Sequence, residues 1–271
     1  MFHLEPITSL ERPELSPYRT LRRPREHRER GLFVAEGDKV VHRLLASSLE
    51  VLSVLLPEPR LAEYVPALQN RPEQIPVYCV TERGALEALV GFSLFQGVMA
   101  IARIPPAPPL PRLLSGLPRP RLVVAADGLT SAENIGVLVR NCVAFGAQAL
   151  VAGETCASPY LRRAVRNSMG AVFALPVIEV GNLGRTLAEL RELGVRCLAA
   201  HPHTQQQALP AANLRADLCL VFGAEGHGIS PGVMAACDAA VAIPIAATVD
   251  SLNVASAAAV FLYEARRQRQ A

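Results

Sequence analysis

Three stretches in the second half of the chain set amide, carboxylate, hydroxyl and guanidinium side chains among glycines and prolines, the mixture expected where a ligand meets the main chain. The first is Asp127-Gly-Leu-Thr-Ser-Ala-Glu-Asn-Ile-Gly-Val-Leu-Val-Arg-Asn141. Thr130 and Glu133 have the spacing of a capping box, so a helix is predicted to begin near Ser131. Asn134 and Arg140 are then separated by about 600° of helical rotation and do not share a face. Arg140 falls among Gly136, Val137, Val143 and Ala144, and a guanidinium on an apolar stripe requires a partner. A carboxylate or carbonyls in a subunit interface would serve; so would a phosphate or oxygen of a substrate.

The second stretch, Phe222-Gly-Ala-Glu-Gly-His-Gly-Ile-Ser230, has three glycines in six residues, which permits positive φ and close approach of a ligand to the backbone. It is neither the dinucleotide fingerprint nor a Walker A loop, since the chain's one lysine is Lys39. A tight turn accounts for the glycines. Glu225, set between them at a strand end, is placed to take a partner. The third runs from Val241 through Ile243-Pro244 to Ser251-Leu252-Asn253. Ser251 is expected to cap a helix of small residues (Ala255, Ala257, Ala258, Ala259), whereas Asn253, in its first turn, has no such explanation.

No metal centre is expected. The six cysteines are scattered singly without a C-x-x-C pair and read as small core residues, and His201 and His203, on either side of Pro202, read as a polar loop.

These stretches must be held by regular elements. Leu122–Ala125, Ala149–Ala152, Val177–Val180, Cys197–Ala200, Leu218–Phe222 and Val241–Ile245 are near-continuous apolar runs separated mostly by helical segments, the pattern of an α/β fold with a parallel sheet covered on both faces. Ligands bind beyond the carboxyl ends of such strands, where all three stretches lie. Ahead of them, Ile104 to Pro120 holds seven prolines and reads as an extended linker, giving domains 1–103, 104–120 and 121–271. The first is a small α/β domain with strands near Leu32–Ala35, Val51–Leu56, Pro76–Val80 and Val98–Ile101. Its helices are expected at Asp38–Ala46, Leu61–Leu68 and Thr81–Leu89, the last capped by Thr81.

At 51% hydrophobic and 19% charged residues, the composition excludes general disorder. No apolar run reaches the ~18 residues of a membrane span, and residues 1–24 lack a signal peptide's apolar stretch, so a cytoplasmic protein is expected. Six of the 26 arginines fall between Arg19 and Arg30. Arg22, Arg23 and Arg25 are candidate phosphate contacts; a solvated face partly neutralised by Glu26 and Glu29 explains the run equally well.

Taken together, Asn134-x-Gly136-x-x-x-Arg140-Asn141, Gly223-x-Glu225-Gly226-x-Gly228 and Ile243-Pro244 followed by Ser251-Leu252-Asn253 resemble the three ordered motifs of the SpoU/TrmH RNA ribose methyltransferases. Arg166-Asn-Ser-Met-Gly-Ala171 is similar to a family element between the first two motifs. Phe33-Val-Ala-Glu-Gly37 resembles part of the ribosomal-protein-like RNA-binding domain that often precedes the catalytic one. The resemblance implies a C-terminal segment threaded into a trefoil knot, a homodimer with its active site at the interface, and ribosomal or transfer RNA as the partner. It implies S-adenosylmethionine as cofactor, held by the backbone around Gly223, Gly228, Ile243 and Leu252, with Asn134, Arg140, Glu225, Ser251 and Asn253 as the functional polar residues. The reaction implied is methylation of a ribose 2′-hydroxyl centred on Arg140. With a pKa above about 12 an arginine is a poor base, and holding a phosphate while stabilising the alkoxide carries equal weight. An inactive RNA-binding or ribosome-assembly protein and a base methyltransferase are the alternatives. Ala247 stands where the family usually has glycine, and Arg12-Pro13 and Tyr18 replace its usual Asn-Pro and lysine.

Overall fold

The computed structural model describes residues 2–7, 11–21, 23–80 and 97–270. The chain forms two compact units: one takes the chain up to Pro106 together with Tyr160–Phe173, the other takes Ala107–Pro159 and Ala174–Ala271.

The first unit is built on a five-stranded mixed sheet of β1 (Phe2–Ile7), β2 (Leu32–Glu36), β3 (Val51–Pro57), β4 (Ile75–Val80) and β5 (Met99–Arg103) in the order β1-β4-β3-β5-β2. Four strands fall where apolar runs predict them. The fifth, β1, lies at an edge, where strands tolerate a proline such as Pro6 and a mixed polar sequence. Helices cover Asp38–Leu45 and Leu61–Gln69 as expected, and the helix expected at Thr81–Leu89 lies outside the described residues. Phe33 of β2 stacks on Phe173 (ring centroids 5.6 Å apart) and lies 5.5 Å from Tyr160. Buried Glu36 takes an ion pair from Arg162 and lies 3.9 Å from Arg166. The Phe33–Gly37 and Arg166–Ala171 segments, far apart in sequence, therefore belong to one packed unit.

The second unit is a six-stranded sheet, parallel throughout, of β6 (Leu122–Asp127), β7 (Ala149–Ala152), β8 (Val177–Glu179), β9 (Arg196–Ala200), β10 (Leu218–Gly223) and β11 (Ala239–Val241) in the order β11-β9-β10-β6-β7-β8. Strand alternation sends Val123, Ala125, Cys197, Ala199, Cys219 and Val221 into a core closed by Leu183, Leu187 and Leu190 of the Leu183–Glu192 helix. On the other face Phe222 meets Phe261 of the long Val254–Gln270 helix edge-on at 5.7 Å. The sheet is covered on both sides, as near-continuous apolar strands require.

Two expectations change. The proline-rich stretch is not wholly extended: Leu110–Gly116 is helical, with Pro109 as its N-cap and Pro111 in the first turn, where a missing N–H breaks no helical bond. Leu110, Leu113 and Leu114 enter the sheet's core. The last strand ends at Val241 rather than Ile245, with Pro244, which cannot donate to a ladder, just beyond it.

All six cysteines are free. Burial raises the thiols of Cys79, Cys142 and Cys156, and pushes that of Cys237 up to about 12, so these sulfurs stay protonated. Cys79, Cys142, Cys197 and Cys219 are buried as expected, whereas Cys156 and Cys237 are only partly so. Among the described residues, no cluster of three or more His, Cys, Asp or Glu side chains could hold a metal ion, and no helix is long and apolar enough to cross a membrane.

Candidate active site

Three strand ends meet beside one pocket, which the ends of β10 and β11 line. At the end of β6, buried Asp127 accepts a hydrogen bond from the Ser230 amide (2.7 Å), which ties this strand end to the loop after β10. The helix that follows covers Ala132–Phe145, and its cap is Ser131 rather than the expected Thr130: Ser131 Oγ accepts from the Asn134 amide at 3.2 Å. Asn134 thus lies in the first turn with its side chain free to reach outward.

Arg140 corrects the sequence expectation. The helix buries Ile135, Leu138, Val139 and Cys142, an i, i+3, i+4, i+7 stripe, while Arg140, Val143 and Ala144 lie outside it and are exposed. Within one chain its guanidinium stays in solvent and makes no hydrogen bond or ion pair with a described residue, so burial imposes no partner on it.

At the end of β10, a Cβ on Gly223 would stand 2.2 Å from the Gly228 carbonyl carbon and 2.3 Å from the Ile229 nitrogen. Only glycine fits, because the loop doubles back through paired bonds between Ala224 and Gly228 (2.9 and 3.0 Å). The tight turn is real, and Glu225 stands at its tip.

Beyond β11 the chain passes Ile243-Pro244 and enters the Val254–Gln270 helix. Its cap is Asn253, not Ser251: Asn253 Oδ1 accepts from the amides of Ala255 (2.9 Å) and Ser256 (3.4 Å). The helix begins two residues later than serine capping implies, and asparagine caps as well as serine. With Oδ1 so engaged, the amide nitrogen is identified by its partners: Nδ2 donates to Glu225 Oε1 at 2.6 Å and to Asn134 Oδ1 at 3.2 Å. One asparagine, itself of the third motif, joins a residue from each of the other two.

The pocket beside this junction has a volume of 670 Å³. Gly223, Gly228, Ile243 and Leu252 line it, as do Glu225, Ser251 and Asn253. Asn134 adjoins it through Asn253, and Arg140 is not on its wall. Phe222, Val241, Val254 and Phe261 supply an apolar surface. The size and the apolar wall fit a ligand of nucleoside-cofactor size.

His201, Pro202 and His203 also line the pocket, which the polar-loop reading missed. The signal was available, because they follow β9, the neighbour of β10, and so lie at a carboxyl strand end as well. His201 Nδ1 accepts from the His203 amide (3.2 Å), which places the proton of the neutral ring on Nε2.

Of the arginines singled out in the first unit, Arg22 lies outside the described residues, and Arg23 and Arg25 are exposed. Arg23 pairs with Glu26 at 3.0 Å, the partial neutralisation anticipated for that run.

A sequence model described as the SpoU rRNA Methylase family matches residues 121–263. The chain is 36% identical over 262 residues to a protein of Mycobacterium tuberculosis strain H37Rv described as an uncharacterized tRNA/rRNA methyltransferase, covering 94% of this chain and 89% of that one. It is 37% identical over 185 residues to the 23S rRNA (guanosine-2′-O-)-methyltransferase of Ralstonia nicotianae, covering 68% and 74%. Among solved structures, the SpoU methyltransferase AviRb of Streptomyces viridochromogenes in complex with AdoMet superposes with a TM-score of 0.81 at 25% identity, covering 96% of this chain and 99% of that one.

Proposed function

The chain belongs to the SpoU rRNA methylase family, and from that membership we propose that it transfers a methyl group from S-adenosylmethionine to a ribose 2′-hydroxyl of ribosomal RNA. The observation that carries this reading is the junction at Asn253, which joins Asn134 and Glu225 at the edge of a pocket walled by Gly223, Gly228, Ile243 and Leu252. The relatives point the same way: one is a guanosine-2′-O-methyltransferase of 23S rRNA, and the AviRb structure holds AdoMet.

The backbone of the Gly223–Gly228 turn and of Ile243 and Leu252 would hold the cofactor. When bound, it supplies an electrophilic methyl group on a sulfonium. The protein has to align the ribose with that methyl and help the hydroxyl lose its proton. Ser251 and Arg140 are assigned to the RNA: an exposed, unpaired guanidinium suits a phosphate next to the target ribose and stabilises developing oxyanion charge.

Arg140 does not line the pocket of a single chain, so the reading includes a homodimer that brings it to a partner's site. Exposed Val143, Val260 and Tyr263 on the two packed helices Ala132–Phe145 and Val254–Gln270 support such a surface. The knotted threading of the last segment, the cytoplasmic location and RNA binding by the first unit belong to the same proposal. Mapping methylated riboses in ribosomal RNA from a strain lacking this gene against its parent tests it. Loss of one 2′-O-methyl supports the reading, whereas loss of a base methyl or of none overturns it.

A further inference from the structure

The reaction needs a proton acceptor for the 2′-hydroxyl, and a guanidinium, which keeps its protons across the working pH range, has no lone pair to offer. Resting on the proposed ribose methylation, we infer that Glu225 is that acceptor, through Oε2, and that Asn253 is a positioning residue rather than a group in contact with the substrate.

Hydrogen-bond capacity carries the inference. An asparagine side chain offers two N–H donors and an oxygen with two lone pairs. In Asn253 all are engaged: Oδ1 by the amides of Ala255 and Ser256, Nδ2 by Asn134 Oδ1 and Glu225 Oε1. Nothing remains for a ribose. The same bonds orient the neighbours. Asn134 uses its oxygen, which leaves its NH₂ as a donor toward the incoming hydroxyl or an adjacent oxygen. Glu225 uses Oε1, and Oε2 makes no bond to a described residue while the side chain lines the pocket. The free groups at the junction are thus an amide NH₂ that can donate and an anionic oxygen that can accept, the pair needed to hold a hydroxyl and take its proton.

The chemistry balances. The ribose 2′-oxygen forms a C–O bond to the methyl carbon as that carbon's bond to sulfur breaks, the electron pair stays on sulfur, and the hydroxyl proton passes to Glu225 Oε2 and later to solvent. Asp250 is the other carboxylate on the pocket wall, but no described residue holds it in place, so it lacks the orientation that Asn253 gives Glu225.

Glu225→Gln preserves the bond from Asn253 and removes the basic oxygen. Two measurements test it on the full-length protein beside wild type and Asp250→Asn: single-turnover transfer to ribosomal RNA, and calorimetric binding of S-adenosylhomocysteine and of sinefungin, in which an amine-bearing carbon replaces the sulfonium. The transfer rate of Glu225→Gln is expected to fall about 10²- to 10⁴-fold, the usual scale for a lost general base. Affinity for the neutral thioether stays within about threefold, and affinity for the cationic analogue falls several-fold more, because the negative charge has gone. Transfer by Glu225→Gln within about threefold of wild type overturns the inference, as does a larger loss in Asp250→Asn. A wild-type protein that binds neither ligand overturns the methyltransferase reading itself, a result distinct from either.

Discussion

Asn253 Nδ2 lies 2.6 Å from Glu225 Oε1, a bond between residues 28 apart in sequence that closes the loop after β10 onto the cap of the last helix. Both ends of one side chain are therefore at work, one holding a helix terminus and the other the site.

These two duties separate by substitution. Asn253→Ser keeps an N-cap oxygen and loses both Nδ2 bonds, so the melting temperature should stay near that of wild type while methyl transfer falls tenfold or more. Asn253→Ala also loses the cap and should lose about 1 kcal/mol of stability. Thermal unfolding and single-turnover rates on both variants check this. Equal transfer by wild type and Asn253→Ser would show the junction to be structural only.

Gly223→Ala tests the turn. A Cβ there meets backbone rather than a movable side chain, at 2.2 Å, so the loop after β10 must open. We expect binding of S-adenosylhomocysteine to weaken at least tenfold while the circular dichroism spectrum is retained. Unchanged affinity would remove the Gly223–Gly228 backbone from the cofactor site.

Much of this site is legible in the sequence because strand ends and glycine spacing are local. The three motif loops follow from a parallel-sheet pattern; the second and third, with the four residues proposed to hold cofactor, line one pocket, and the first reaches it through the bond between Asn134 and Asn253. Caps are less legible: Thr130 and Ser251 satisfy the capping pattern as well as Ser131 and Asn253 do, and only the position where the helix starts decides between them. Sequence misleads on the burial of Arg140, because a one-residue change of helical phase moves a side chain by about 100°, from the stripe of Val139 to an open face. The grouping of Tyr160–Phe173 with the first unit leaves no local signal at all, since it depends on contacts such as Phe33 with Phe173 between residues 140 apart.

Arg140→Ala should abolish transfer and leave affinity for S-adenosylhomocysteine within a few-fold, since the side chain is off the pocket wall. Arg140→Lys should fail as well, because a point ammonium does not reproduce the planar fork. Near-normal turnover in either variant removes Arg140 from the reaction.

Charge-neutralising substitutions at Arg22, Arg23 and Arg25 test RNA binding by the first unit. If these side chains meet phosphates, the triple variant binds RNA more weakly, and the slope of log K against log salt flattens by about one unit for each phosphate no longer neutralised. Arg23 already shares its charge with Glu26, an exposed pair worth under about 1 kcal/mol, which an RNA phosphate can outcompete. An unchanged slope would mean that the arginine run is a solvated face.

The helix in the proline-rich stretch bears on where the catalytic unit can be cut. A chain begun at Arg119 loses Leu110, Leu113 and Leu114 from the core beneath the sheet, whereas one begun at Ala107 keeps them. Each buried leucine contributes about 1.5–3 kcal/mol as an upper bound, so the shorter form should be less stable by several kcal/mol. Both forms also strip Phe33 from Tyr160 and Phe173, and Glu36 from Arg162, which exposes aromatic surface to the same extent in each. Urea unfolding of the two side by side isolates the leucines. Coincident midpoints would show that the Leu110–Gly116 helix adds nothing to the fold it packs against.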